Sequence, residues 1–249
     1  MYLPERNIIV PPEAGWPSII NADQSILNGL GKTPEVIALL TRLHYIKQDG
    51  DSNNRSHGAP ECFFADWQSL VQGLTEGKTN AGELKIITEN TDMDEEDSSP
   101  TIGLTIGADN PLFVLDTSLG IIHWSDCPGQ IKDNPVIEPV DLEDDSSEDR
   151  YREDDWRSDA PAWAIPDFFE LLKEQFRQLV FIPISPYTVT SVFVQRSQEL
   201  EGMVPMLQEI YREHGWPDIE QYRKRECLEA VQRALEERYP DEADFRRSG

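Results

Sequence analysis

The stretch Thr101 to Trp124, TIGLTIGADNPLFVLDTSLGIIHW, constrains the fold more than any other part of the chain, because it carries the densest strand signal between strongly polar flanks. Ile102, Leu104 and Ile106 alternate with Thr101, Gly103 and Thr105, the period of two that half-buries a strand. Ala108-Asp109-Asn110-Pro111 turns the chain, since Asp and Asn hydrogen-bond nearby backbone and Pro lacks a ladder donor. Leu112 to Asp116 is apolar on both faces until Asp116, which predicts a central strand covered on both sides. Thr117 to Gly120 makes a hairpin connection, with Gly120 free to take positive φ, and Ile121 to Trp124 returns. An antiparallel meander is the expected result.

Around this meander the periodicity changes to that of helices. Residues 1–20 are Pro-rich and read as an extended arm. Asn21 or Asp23 caps a short helix through Leu30, and Thr33-Pro34-Glu35 starts a cleaner one, with Val36, Leu39, Leu40 and Leu43 on one stripe running to about Lys47. After a polar loop from Asp49 to Pro60, Phe63, Phe64, Trp67, Leu70, Val71 and Leu74 predict a second short helix, and Leu84, Ile86 and Ile87 a strand within Glu83 to Glu89. Cys127 to Val140 is irregular and carries three prolines. A helix then starts at Ala164-Ile165-Pro166-Asp167 and places Phe168, Phe169, Leu172, Phe176 and Leu179 at helical spacing. Val180 to Ile184 and Tyr187 to Val194 read as strands, and Gln198 to His214 and Ile219 to Tyr239 as an antiparallel helical pair with Asp218 capping the second and Trp216 in the elbow. The fold class expected is α+β: an antiparallel sheet packed with helices, plus a C-terminal helical pair. Its organisation is an arm at 1–20, a domain at 21–186 and a mainly helical extension at 187–249.

The formal net charge of −25 is unevenly spread. Glu89 to Asp97 holds six carboxylates and no base, and Glu138 to Asp159 holds eleven against Arg150, Arg152 and Arg157, so −14 of the −25 falls in these two stretches. Too little apolar surface and too much like charge predict that 138–159 is a mobile acidic insertion. Such a field repels nucleic-acid phosphates and anionic membranes, and admits a protein partner with a basic patch. Cys62, Cys127 and Cys227 are odd in number and contain no CxxC, which fits a reducing compartment; with no signal-peptide core at Met1 to Val10, the expectation is a cytoplasmic or nuclear location.

The order of elements resembles that of the SUKH superfamily, which includes fungal cell-wall-synthesis regulators and bacterial toxin-immunity proteins. The resemblance rests on Pro34-Glu35-Val36-Ile37-Ala38-Leu39-Leu40, on the hairpin Leu112-Phe113-Val114-Leu115-Asp116-Thr117-Ser118-Leu119-Gly120-Ile121-Ile122, and on Phe168-Phe169-Glu170-Leu171-Leu172. It covers roughly Asn21 to Leu179; the acidic insertion and the helical extension depart from it. It implies an α+β fold and a protein-binding, regulatory role, with no cofactor and no active site.

The residues offer few chemical alternatives. His123, Asp126 and Cys127 form the best candidate catalytic set, since a Cys-His catalyst needs an imidazole within reach of a partly exposed sulfur and a carboxylate behind it; they would serve an enzyme or accessory protein acting on a small molecule. Asp92, Asp94 and Glu96 alternate as in a cation loop, but Asp97 stands where the tight-turn glycine belongs and Gly103 where the bidentate glutamate belongs, so no metal site is expected. His44, His57 and His214 share no metal spacing, and Gly103, Gly107 and Gly120 form no phosphate-binding loop. For a binding role the candidates are Glu143, Asp144, Asp145, Glu148 and Asp149 in the acidic insertion, with Trp156 and Trp163 at its flank as aromatic handles.

Overall fold

The computed structural model describes residues 8–47, 57–89, 100–107, 111–133, 135–141, 160–185, 188–193 and 200–243. Helices and small antiparallel sheets make an α+β fold. The chain divides into two compact units: one holds Pro4–Arg55 and Cys62–Glu170, the other Met1–Leu3, Ser56–Glu61 and Leu171–Gly249. The expected division after residue 186 therefore falls earlier, between Glu170 and Leu171.

In the first unit residues 8–20, the described part of the expected arm, are not simply extended. β1 (Ile8–Ile9) pairs antiparallel with β2 (Tyr45–Ile46), and α1 (Pro17–Ile20) packs on α4 (Trp67–Thr75), where Ser18 Oγ donates to the Gln68 carbonyl at 3.0 Å. α2 (Gln24–Gly29) is capped by Asp23, whose carboxylate accepts from the Ser25 N–H at 2.9 Å. α3 (Pro34–Leu40) starts as its sequence predicts, with Thr33 at the N-cap and Pro34 in the first turn, but stops at Leu40. Tyr45 and Ile46 leave the helical stripe to join β1, and the Tyr45 hydroxyl donates back to the Leu40 carbonyl at 2.7 Å. α4 begins only at Trp67 behind its Asp66 cap; Phe63 and Phe64 precede it, and Phe64 forms a bridge with Thr105.

The stretch 83–89 is a helix and not a strand. α5 (Ala81–Glu89) is fixed at its start by a reciprocal pair: the Glu83 N–H donates to Asn80 Oδ1 at 2.9 Å, and the Asn80 N–H to Glu83 Oε2 at 3.2 Å. This is a capping box, which supplies partners to two backbone donors that the helix itself leaves open.

The expected meander forms. β3 (Thr101–Gly103), β4 (Phe113–Asp116) and β5 (Ile121–Trp124) are consecutive antiparallel neighbours, and β6 (Ala162–Ala164) adds a fourth strand beside β5. All four residues of β4 are buried, as a central strand covered on both faces requires. A single helical turn, α6 (Gly129–Lys132), follows β5 in the chain. The register splits the side chains. Phe113, Trp124 and Trp163 meet Phe168 of α7 (Ile165–Arg177), with Phe113 in edge contact with Trp124 at 5.1 Å and with Phe168 at 4.9 Å between centroids. Edge-to-face geometry suits the aromatic quadrupoles and adds to the burial of large apolar area. Gly103, Val114, His123 and Ala162 form one cross-strand row on the opposite face.

That row explains Gly103. A Cβ there would lie 1.8 Å from the Thr88 carbonyl oxygen of α5, so the helix end reaches the sheet only because the side chain is absent. Trp67 Nε1 donates to the Gly103 carbonyl at 2.9 Å.

The second unit is built on a hairpin of β7 (Phe181–Pro183) and β8 (Val189–Ser191) and on two helices, α8 (Met203–Glu213) and α9 (Lys224–Arg238). Met203, Leu207 and Tyr211 pack with Cys227, Val231 and Leu235, while Arg223 N–H donates to the His214 carbonyl and the Tyr239 hydroxyl to the Glu201 carbonyl. Contacts at both ends make the pair antiparallel. Both helices are shorter than their apolar stripes suggest. Asp218 does not cap α9; its carboxylate accepts from the Glu220 N–H and the Gln221 side chain in the connecting loop. Trp216 fills the elbow as expected, against Tyr211 and Tyr222, and its indole donates to the Phe176 carbonyl at 3.0 Å.

Candidate functional site

The β4–β5 hairpin is the part of the resemblance whose residues can be assigned a physical task. Asp116 Oδ1 accepts from the Ser118 N–H at 2.8 Å, the Ser118 hydroxyl at 2.6 Å and the Leu119 N–H at 3.0 Å, and Gly120 takes φ +68°. Asp116 is buried and spends its carboxylate on the turn. Its chemistry is structural.

The candidate set His123, Asp126 and Cys127 is only partly assembled. His123 is 0% exposed, in the middle of the row formed by Gly103, Val114 and Ala162, where a solvent-borne substrate does not reach it. Asp126 and Cys127 lie together on the turn after β5. Asp126 Oδ1 accepts from the Leu112 N–H at 2.8 Å; desolvation raises its carboxyl pKa against the pull of that bond. Cys127 is half-buried, and burial, reinforced by the Asp126 charge, pushes its thiol up to about 12. A thiol held there is almost wholly protonated at neutral pH and is a poor nucleophile. The arrangement thus holds a turn together and does not activate sulfur.

Among the binding candidates, Trp163 corrects the expectation of an aromatic handle. It is 0% exposed in β6, packs on Trp124 and Phe168, and donates its indole N–H to the Ile137 carbonyl at 2.8 Å. Its place beside an acidic stretch is a consequence of where the fourth strand begins. Glu143, Asp144, Asp145, Glu148, Asp149 and Trp156 lie outside the described residues, as do Asp92, Asp94 and Glu96. Among the described residues no group of three His, Cys, Asp or Glu side chains gathers as metal ligands, and no helix is long and apolar enough to cross a membrane.

One charged pair escapes sequence reasoning. Lys32, in the link between α2 and α3, reaches Glu89 at the end of α5 with Nζ 2.6 Å from Oε2, and the two side chains are 3% and 1% exposed. Burial lowers the Lys32 pKa and raises that of Glu89; their mutual attraction opposes both shifts, as does the Gly103 N–H for Glu89. Glu89 therefore belongs to the packed structure and not to the acidic stretch it opens. The partners are 57 positions apart, and no local pattern marks either.

The carboxylates divide as unevenly between the units as along the chain. The unit of 4–55 and 62–170 has 32 Asp and Glu against 11 Lys and Arg, a balance of −21, and the other unit has 15 against 11, a balance of −4. No family model, no curated protein and no solved structure matches this chain.

Proposed function

We propose that this chain is a non-enzymatic interaction or regulatory module, SUKH-like in its first unit, which engages a protein partner carrying a basic patch through its acidic stretches. The observation that carries the reading is the concentration of −21 of the net −25 in one unit. A field of that size raises the encounter rate with a basic partner and disfavours nucleic acid and anionic membrane. A buried His123 and a Cys127 thiol raised to about 12 support a binding role over small-molecule catalysis. A cytoplasmic or nuclear setting is part of the proposal and agrees with three free cysteines.

The test compares intact protein with a form in which 142–159 is replaced by a neutral linker, each used as bait in cell extract and eluted in salt steps. A partner retained only by the intact form and released at moderate salt supports the reading, because exposed charges are screened within about 8 to 10 Å at physiological ionic strength. Identical retention by both baits, indifferent to salt, overturns it.

A further inference from the structure

Four large apolar side chains of the first unit are exposed on the segments that adjoin its fourth strand. Val136 and Val140 are 49% and 40% exposed, and Ile165 and Phe169 are 37% and 41% exposed. The chain at 137–140 runs along the outer side of β6: the Val140 N–H donates to the Ala162 carbonyl at 2.7 Å, and the Ile137 carbonyl accepts from the Trp163 indole. Ile165 follows β6 directly as the first residue of α7, and Phe169 lies one turn further on the same helical face. Phe169 is held in edge contact with the buried Phe168 at 5.5 Å, so it is presented on a fixed support. Contiguous large apolar side chains mark interaction surfaces more often than singly scattered ones do.

The charges beside these side chains in the sequence select their occupant. Glu138 stands between the two valines, Asp141 follows them, and Asp167 lies between Ile165 and Phe169; all three are exposed. A second copy of this chain would bring another −25 to a face already rimmed by carboxylates. We infer that Val136, Val140, Ile165 and Phe169 form the docking face for a basic amphipathic helix of a protein partner, whose apolar stripe covers the four side chains while its Lys and Arg meet Glu138, Asp141 and Asp167. Helix-in-groove recognition uses this division, with apolar anchors at i, i+3, i+4 and i+7 and charges at the rim. The inference rests on the proposed function and adds to it a place and a partner shape.

The test uses the full chain and a fluorescent peptide of leucine and lysine, about 18 residues long, with its leucines on one helical face, at physiological salt. A scrambled peptide of the same composition is the control. Three proteins are compared: wild type, the double variant Ile165→Ser with Phe169→Ser, and the form with 142–159 replaced by a neutral linker. Both serines fall at exposed positions, and an unchanged thermal midpoint certifies the fold; should the midpoint drop, Val136→Ser with Val140→Ser serves in its place. The expected result is tighter anisotropy binding of the amphipathic peptide than of the scrambled one by wild type, with a loss of about tenfold or more in the double variant, the size that truncating central apolar anchors produces. Equal affinity of wild type and double variant overturns the inference. If the linker form alone loses binding, the charge-based function stands and the docking face falls. If the double variant alone loses it, the face stands and the acidic stretch is not the partner's contact. A sedimentation mass that doubles for wild type and not for the double variant assigns the face to a second copy and also overturns the inference.

Discussion

Single side chains decide how α5 meets the sheet, and three of them give sharp expectations. Gly103→Ala places a Cβ 1.8 Å from a backbone oxygen, which rotamer changes cannot relieve. The helix end or β3 must move, at a cost of about 3 kcal/mol, read as a lower denaturation midpoint. The Lys32–Glu89 pair behaves differently because both charges are out of water. Lys32→Met strands a buried carboxylate and is expected to destabilise by about 3 to 5 kcal/mol, whereas Lys32→Met with Glu89→Met is close to neutral. The pair also sets a pH dependence. A raised Glu89 pKa means that the folded state holds a proton over a window where the unfolded chain has lost it, so stability falls as pH rises from the ordinary carboxylate value towards the folded one. The lowered Lys32 pKa means that stability rises with pH through the window between its folded value and the ordinary lysine value. Equilibrium unfolding across pH should show both slopes weakened in the double methionine variant relative to wild type, with the raised Asp126 pKa leaving a residual fall at acid pH. Cys127, with its thiol pushed up to about 12, is expected to alkylate slowly at neutral pH, with a rate that climbs as pH rises; fast labelling at neutral pH would restore the catalytic alternative. None of these residues advertises its environment in sequence. Gly103 reads as one glycine in an alternating strand, and Lys32 and Glu89 as ordinary surface charges.

At the scale of elements, local chemistry accounts both for the segments that match their sequence signals and for the one that does not. The capped starts of α2 and α3 and the strands of the meander follow from residues within a few positions of one another, and they form where expected. The helix at 83–89, where a strand is expected, has the same local origin. Leu84, Ile86 and Ile87 suggest a strand, but Asn80 and Glu83 form the capping box that commits the segment to a helix. Asn80→Ala is therefore expected to cost about 1 kcal/mol, seen as a small loss of thermal stability and faster amide exchange in the first turn of α5. α3 and α9 are shorter than their stripes for a non-local reason. Tyr45–Ile46 finds a strand partner in Ile8–Ile9, and residues 215–223 are engaged in the elbow around Trp216.

For the whole molecule the dominant quantity is charge. A net −25 with −21 in one unit opposes compaction, so raising the salt from low to physiological ionic strength should raise the thermal midpoint by screening this repulsion; a midpoint that stays level or falls would show that the carboxylates are already locally compensated. The sequence by itself determined the α+β class, the antiparallel meander with its buried central strand, the helical pair and the uneven charge, because periodicity, caps and composition act over short stretches of chain. Only the tertiary structure decided that α5 presses on Gly103, that Glu89 is buried against Lys32, that Trp163 is core, and that Val136, Val140, Ile165 and Phe169 remain outside. Each of these depends on which distant segment arrives at a residue. Two tryptophans near an acidic stretch look alike until one of them is found paired into the fourth strand of a sheet.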